Sequence, residues 1–273
     1  MNPVVGALII LGATALAVGV LLAVRRRTPP GGHFEDTTPA SGVFTILATF
    51  FAVLFAFVVL YAFSAYNDAS NAAELEAETT LQQFETADLL HHQLTPTLAA
   101  QLRCYARSVV RQEWPAMQQD QVLGLNHWDT ELFKTIRQID PATRAEQEEY
   151  AQWLDQRVTR EEAREKRTLG EEGVIPTPVW LALVVTGLIV WGFVFLFADR
   201  GERTFTQVVL VASVTAMLTT GLLLVWFLDN PYRAGPGSLQ PTAMQTRLVQ
   251  MDELARDLQL DLPDLCDADG RPR

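Results

Sequence analysis

The chain has 273 residues, 49% hydrophobic and 19% charged, with a formal net charge of −11. Its apolar residues are gathered into four blocks, Val4–Val24, Val43–Tyr66, Val179–Ala198 and Phe205–Leu228, none of which holds Asp, Glu, Lys, Arg or His. A bilayer core needs about 20 apolar residues per helix, so the pattern predicts an all-α membrane protein with four spans and excludes an ordinary soluble enzyme.

The acidic excess lies outside these blocks. Asn67–Pro178 holds 20 Asp and Glu against 11 Lys and Arg, and the stretch from Asp229 onward holds eight against five. Such segments are poor partners for nucleic acid or anionic lipid. The expected organisation is a transmembrane hairpin over 1–66, a helical extramembrane domain with a stalk over 67–178, a second hairpin over 179–228, and a C-terminal tail over 229–273 with a short amphipathic helix.

The first block is not preceded by a basic region, as a signal peptide would be. Instead Arg25, Arg26 and Arg27 follow it. The link between the third and fourth blocks carries Arg200 and Arg203 beside Asp199 and Glu202. Basic residues in short loops mark the cytoplasmic side. The expected arrangement therefore has the N-terminus, the large domain and the tail outside the cytoplasm.

In chain order, Pro29–Gly32 reads as a turn. From Val43 to Leu94 neither Gly nor Pro interrupts good helix formers, which predicts one helix of about 75 Å at 1.5 Å per residue. Thr95–Pro96 starts the next helix, which Pro115 is expected to end near Trp114. Its buried stripe is Leu98, Leu102, Tyr105 and Val109. Asp129 is placed as the cap of a short helix with Leu132, Phe133 and Ile136 on its inner side. Asp140–Pro141 opens a helix that carries Tyr150, Trp153, Leu154 and Val158 and runs through the charged stretch Arg160–Arg167 to stops at Gly170 and Gly173. Leu248, Met251, Leu254 or Ala255, and Leu258 mark the helix in the tail.

The second helix carries two stripes. Ala62, Ala65, Ala69, Ala72 and Ala73 recur at three- and four-residue steps and suit close helix packing. Ser64, Asn67, Asn71, Glu74, Glu78 and Glu85 form a polar heptad seam. Around a symmetry axis this seam stacks carboxylates over a pore or vestibule; alone it is a solvated face. Arg103, Arg107 and Arg111 lie one per turn on the next helix, and pairing between them and the stalk glutamates competes with the vestibule.

Other chemistry is sparse. Cys104 and Cys266 are too few for a disulfide framework, and a bridge between them is not expected. His33, His91, His92 and His127 read as surface residues; His91 and His92 point about 100° apart on a helix and do not converge on one metal. There is no phosphate loop, nucleophile elbow or paired-histidine zinc motif, so neither an enzyme nor a cofactor or metal site is expected. The spans lack ionisable groups, which disfavours an active transporter more than a passive pore.

Several runs together resemble the bacterial bestrophin-like domain family, over almost the whole chain. They are Phe57–Leu60 to Tyr66–Ala69 with Glu74, Glu76 and Glu78; Tyr105 followed by Glu113, Trp114 and Pro115; Arg157–Arg167 leading to Pro178 and Trp180; and Leu228 with Asp229, Asn230, Pro231 and Tyr232. The resemblance implies kinship with bestrophins, pentameric anion channels with four spans per subunit and a cytoplasmic domain. Arg233–Ala234–Gly235 follows Tyr232 where bestrophins carry an acidic cluster, so no calcium clasp is implied. The expectation is a homo-oligomer in the lipid bilayer of a bacterial plasma membrane with a passive ion path and, from the acidic stalk rather than from the resemblance, cation preference. The alternative is a non-conducting envelope protein whose acidic domain binds a protein partner or senses envelope state.

Overall fold

The computed structural model describes residues 3–29, 34, 37–90, 93–121, 124–169 and 173–273. His33, His91, His92, Gly170 and the turn at residues 30–32 lie outside the described residues. In order, the helices are α1 (Pro3–Arg27), α2 (Thr37–Leu89), α3 (Thr95–Ser108), α4 (Trp114–Met117), α5 (His127–Ile136), α6 (Arg144–Leu169), α7 (Thr177–Leu196), α8 (Thr204–Asp229) and α9 (Thr242–Asp257), with a π-turn at Val109–Glu113 between α3 and α4. No strand longer than the Cys266–Pro272 bridge occurs among the described residues. The four long apolar helices α1, α2, α7 and α8 are long enough to cross a membrane.

The chain divides into two compact units, Met1–Tyr66 with Gly173–Asn230, and Asn67–Glu172 with Pro231–Arg273. The segment after Pro231 therefore belongs to the second unit.

In the first unit, Ala17 and Leu21 of α1 pack with Phe195, Ala198 and Val211. Phe51, Val58 and Ala62 of α2 pack with Leu183, Val190, Val225 and Leu228. Glycines on α7 and α8 make room for α2 rings: a Cβ at Gly187 would lie 3.3 Å from Phe51, and one at Gly221 only 2.7 Å from Phe55. The two basic turns share one end of this unit. Arg25 donates to Gln207 Oε1 (2.8 Å) and to the carbonyls of Arg200 (3.1 Å) and Glu202 (2.5 Å), while Arg200 donates to the carbonyls of Arg25 and Arg26. At the other end Asp229 accepts the N–H groups of Val174 (2.8 Å) and Ile175 (2.9 Å) and the Trp180 indole (2.9 Å). The Tyr66 ring lies 6.1 Å from Phe227 there.

The second unit corrects several local expectations. Pro115 does not end its helix. The π-turn lets the Trp114 N–H reach Val109 O, and helix continues through Met117, so the missing proline N–H falls where the α-ladder is already interrupted. Asn126, not Asp129, caps α5: its side chain accepts the Trp128 N–H at 2.9 Å. Helix α6 starts at Arg144 rather than at Pro141, because Thr143 and Glu146 form a reciprocal capping box.

Leu98, Leu102, Tyr105 and Val109 are fully buried, as their spacing predicts. On α5 Leu132 and Ile136 are buried as expected, but Phe133 is 40% exposed, its ring covered by Arg137 and Arg157 rather than by the core. On α6 the inner face is Trp153, Arg160, Ala163 and Arg167, whereas Val158 is exposed. Arginines replace aliphatics inside because carboxylates await them there. The largest correction is covalent. Cys104 and Cys266 are joined, with Cα atoms 5.9 Å apart across 162 residues of sequence, and both are buried.

Candidate functional site

Two features of the structure carry functional information: the outer face of α2 and a buried ionic network in the second unit.

Helix α2 has sharply unequal faces. Ala62, Ala69 and Ala72 are buried, and Ala65 is half-buried. The same row continues through Glu76, Thr80, Gln83 and Ala87, all buried. On the opposite face Ser64, Asn71, Glu74, Glu78 and Glu85 are exposed and Asn67 is half-buried. The seam extends beyond the polar positions. Ile46, Phe50, Val53, Phe57 and Leu60 precede Ser64 at alternating four- and three-residue steps, and all are exposed, Ile46 at 70% and Phe57 at 68%. One face of a single helix is thus apolar from Ile46 to Leu60 and polar, then acidic, from Ser64 to Glu85. Ser70, Ala73, Glu74 and Glu78 also line a groove of about 540 Å³ whose other wall runs from Ser238 to Arg247.

The network begins where the alanine row reaches Glu76. Arg167 binds that carboxylate through Nε and Nη2, and the Tyr105 hydroxyl donates to it at 2.5 Å. The same Nη2 also donates to Glu113 Oε2 at 2.6 Å, Nη1 reaches Met117 Sδ at 3.0 Å, and the guanidinium carbon lies 5.3 Å from the Trp114 ring centre. Glu113 also accepts from Arg164 (2.8 Å) and Asn126 (2.8 Å). Arg160, with no exposed side-chain surface, pairs with Asp129 at 2.5 Å and lies 4.5 Å over the Tyr105 ring. Three carboxylates thus face three guanidiniums in a largely buried site, with Asp129 and Arg164 at its edge, and burial makes each charge depend on its partner.

The local electrostatics follow from this closure. Burial drives the Glu113 carboxyl upward, but Arg167 and Arg164 outweigh it and hold the group below its ordinary value. For Asp129 burial wins over Arg160, and its carboxyl is raised. Burial and the neighbouring Glu76 lift the Tyr105 phenol well above its usual value. Burial disfavours the Arg167 cation, yet Glu76 and Glu113 overcome this and hold its proton more firmly than usual.

A C-terminal hook braces the network. Beyond the disulfide, the Gly270 carbonyl accepts the Trp128 indole N–H at 2.7 Å, and Gln112 donates to the Asp269 carbonyl at 2.8 Å. Gly270 has φ +78°, and a Cβ there would overlap the backbone of Ser108 and Cys104. The hook therefore seats on the π-turn that presents Glu113.

The residues singled out in the sequence divide between these features. Glu113, Trp114 and Tyr232 converge on Arg167. Tyr232 donates to the Arg167 carbonyl at 3.0 Å and stands edge-on to Trp114 at 5.5 Å, while the Trp114 indole donates to the Leu239 carbonyl at 3.2 Å. Pro115 lies just past the π-turn, and the Pro231 carbonyl accepts the Leu239 N–H at 2.9 Å. Asp229 gathers the entry of α7 in the first unit.

The arginine stripe does not meet the stalk glutamates within one chain. Arg103 pairs with Asp252 of α9 at 3.6 Å, Arg107 approaches Cys266 Sγ at 3.8 Å, and Arg111 is exposed. Tyr105 and its buried neighbours face α2 and α6, so the stripe faces the other way. Sequence reasoning missed the core role of Glu76, Arg160, Arg164 and Arg167. The signal was present: Glu76 continues the alanine row by four residues, and the three arginines recur at steps of four and three.

A bestrophin-like domain model matches residues 11–244. No curated protein matches the chain. Two crystal structures of a bacterial bestrophin homologue from Klebsiella pneumoniae resemble it, at 12% and 13% identity and TM-scores of 0.66 and 0.69. They cover 92% and 90% of this chain and 99% and 96% of theirs. A crystal structure described as a membrane protein gives 13% identity and a TM-score of 0.70 over 89% of this chain and 98% of its own. At such identities the likeness shows the fold. The domain match spans most of the sequence, with Glu113, Trp114, Asp229, Pro231 and Tyr232 inside it, and this four-span helical chain belongs to the bestrophin-like family.

Proposed function

We propose that the protein is a homo-oligomer with a passive ion path lined by the exposed face of α2. The observation that carries this reading is the stripe itself. In a bilayer-spanning helix an apolar face needs no partner, but Ser64, Asn67 and Asn71 extend the same face without a break into three glutamates. Copies arranged about an axis would give an apolar constriction followed by rings of carboxylate. Apolar constrictions gate by dewetting, and carboxylate rings between low-dielectric walls concentrate cations.

The reading includes an orientation. Both basic turns sit at one end of the first unit, which supports a shared cytoplasmic side. The Cys104–Cys266 bond supports an oxidising compartment for the second unit. The N-terminus and the acidic helical unit are therefore outside the cytoplasm.

Bilayer recordings of wild type and of Glu74→Gln with Glu78→Gln at low salt test the path. We expect cation-selective current whose selectivity weakens in the variant, with both effects screened as the Debye length falls to about 8 Å at physiological ionic strength. Absence of current would favour the envelope-protein reading, and current of unchanged selectivity would remove these carboxylates from the path. Labelling of Gln119→Cys in intact cells tests the orientation; labelling only after permeabilisation would reverse it.

A further inference from the structure

We propose that copies of the chain meet head to tail through the second unit, the basic groove between α3 and α9 of one copy seating the outer face of α6 of the next. The inference rests on the oligomeric reading above and names the contact that would build the ring.

The groove has a volume of about 510 Å³, is floored by Val110, Leu248 and Val249, and is flanked by Arg107 and Arg111. Among the described residues neither arginine has a carboxylate within ion-pair distance. The acids of the groove are already engaged: Asp264 with Arg273, and Asp267 with the backbone N–H groups of Asp269 and Arg271. Val249 is largely exposed. The site therefore offers two guanidiniums without a carboxylate partner, Arg107 holding only the weak contact to Cys266 Sγ, one helical turn apart over an apolar floor, which fits an acidic helix that also shows aliphatic side chains.

The outer face of α6 has that composition. Asp155, Val158, Glu162, Glu165 and Leu169 recur at three- and four-residue steps and are all exposed, flanked by Lys166. No ion pair engages these three carboxylates among the described residues. Val158 and Leu169 stand in water without an apolar neighbour to cover them.

The two surfaces point in opposite directions. Tyr105 of α3 lies under Arg160 of α6. Arg103 and Arg107 are two residues to either side of Tyr105, so they point about 160° away from α6. On α6, Val158 and Glu162 are likewise two residues to either side of Arg160 and point away from α3. Complementary patches on opposite sides of one unit make a head-to-tail contact, which builds a ring when its rotation closes, rather than a two-fold contact between like surfaces.

Disulfide trapping in the full-length protein in native membranes tests this directly, because both natural cysteines are already bonded to each other. A chain carrying Arg111→Cys and Glu162→Cys should give a ladder of cross-linked species on oxidation, and each single variant should give none. Cross-linking by a single variant would mean a two-fold contact and overturn the proposal. A ladder from Arg111→Cys with Glu78→Cys in place of the Glu162 pairing would assign the groove to the α2 glutamates and overturn it as well. Charge reversal supplies the second readout. Arg107→Glu with Arg111→Glu should lower the oligomer fraction about tenfold, and adding Asp155→Arg with Glu162→Arg should restore it. Failure of that restoration in a folded chain also sinks the contact. Current without a ladder leaves the ion path standing and removes this interface, whereas a ladder without current does the reverse.

Discussion

Replacing Arg167 by Met is the sharpest test of the buried network. The side chain has no exposed surface, and its partners Glu76 and Glu113 are 1% and 8% exposed. The substitution leaves the two carboxylates in different positions. Glu113 keeps Arg164 and Asn126, whereas Glu76 keeps only the Tyr105 hydroxyl. Removing one partner of a buried ion pair costs about 3–5 kcal/mol, and nearly all of that should arise at Glu76. Neutralising the stranded carboxylate should recover much of the loss. The double variant Arg167→Met with Glu76→Gln keeps an acceptor for Tyr105, and it should lie within about 1–2 kcal/mol of wild type, the scale of the lost hydrogen bonds. With Glu76→Gln alone as the second single variant, whose own cost adds to the difference, the coupling energy should be at least about 2–3 kcal/mol. Urea unfolding of the detergent-solubilised protein, followed by tryptophan fluorescence, measures all three variants. If the single variant unfolds like wild type, or if the double variant loses the sum of the two singles, Glu76 and Arg167 are not energetically coupled and the network reasoning is wrong.

The other predictions concern the hook and the acid limb. Cys104→Ala with Cys266→Ala releases a loop of 162 residues and should cost about 2–5 kcal/mol; proteolysis of the C-terminal segment should accelerate accordingly. Gly270→Ala should destabilise by about 1–3 kcal/mol, since φ is +78° and backbone occupies the space a Cβ needs, and unchanged unfolding would count against a seated hook. For pH, the lowered Glu113 carboxyl stabilises the fold fully above its ordinary 4.5, and this contribution is lost as pH falls through the lowered value. The raised Asp129 carboxyl acts in the opposite sense, its ionised form being disfavoured in the fold until pH drops through the raised value toward 3.8. Unfolding midpoints between about pH 3 and 6 should fall at the acid end in wild type, fall less in Glu113→Gln, and lose the opposing component in Asp129→Asn.

Much of this fold was legible because membrane spans and amphipathic helices write their periods directly into the chain. The four apolar blocks became α1, α2, α7 and α8 within a few residues, and the stripe from Leu98 to Val109 is buried as spaced. What the sequence hid depends on partners far apart in the chain. A bridge between Cys104 and Cys266 has no local signature, because the α9 and hook geometry that brings them together is tertiary. The inward arginines of α6 were not legible because an aliphatic such as Val158 outranks an arginine in any hydropathy reading, and only the carboxylates at 76, 113 and 129 explain why Arg160 and Arg167 lie inside. Pro115 misled for a local reason, since its helix-ending tendency was absorbed by a π-turn that periodicity does not reveal. On α2 both stripes were visible, but which one faced inward rested on the alanines, and the apolar half of the outer seam was masked by the uniform hydropathy of the span.

The charged interior of the second unit has a physical rationale in the two faces of α2. Packing through alanines brings helices close but defines rotation weakly, because small side chains present nearly the same surface after a modest turn of the helix. A bidentate guanidinium–carboxylate pair is directional, so Arg167 on Glu76 fixes α2 about its own axis as well as against its neighbours. An apolar replacement of Glu76, Glu113 and Arg167 would satisfy burial and need not lower stability, but it would surrender that orientation. The outer face has the opposite requirement. In the proposed ion path, Glu74 and Glu78 would reach a shared axis only if α2 is held to within a fraction of the 100° that separates successive residues. Glu76 lies between them in sequence and on the other side of the helix, so the bond that anchors the inner face also aims the outer one. The hook extends the same logic, since it seats the π-turn, the π-turn presents Glu113, and Glu113 shares Nη2 of Arg167 with Glu76.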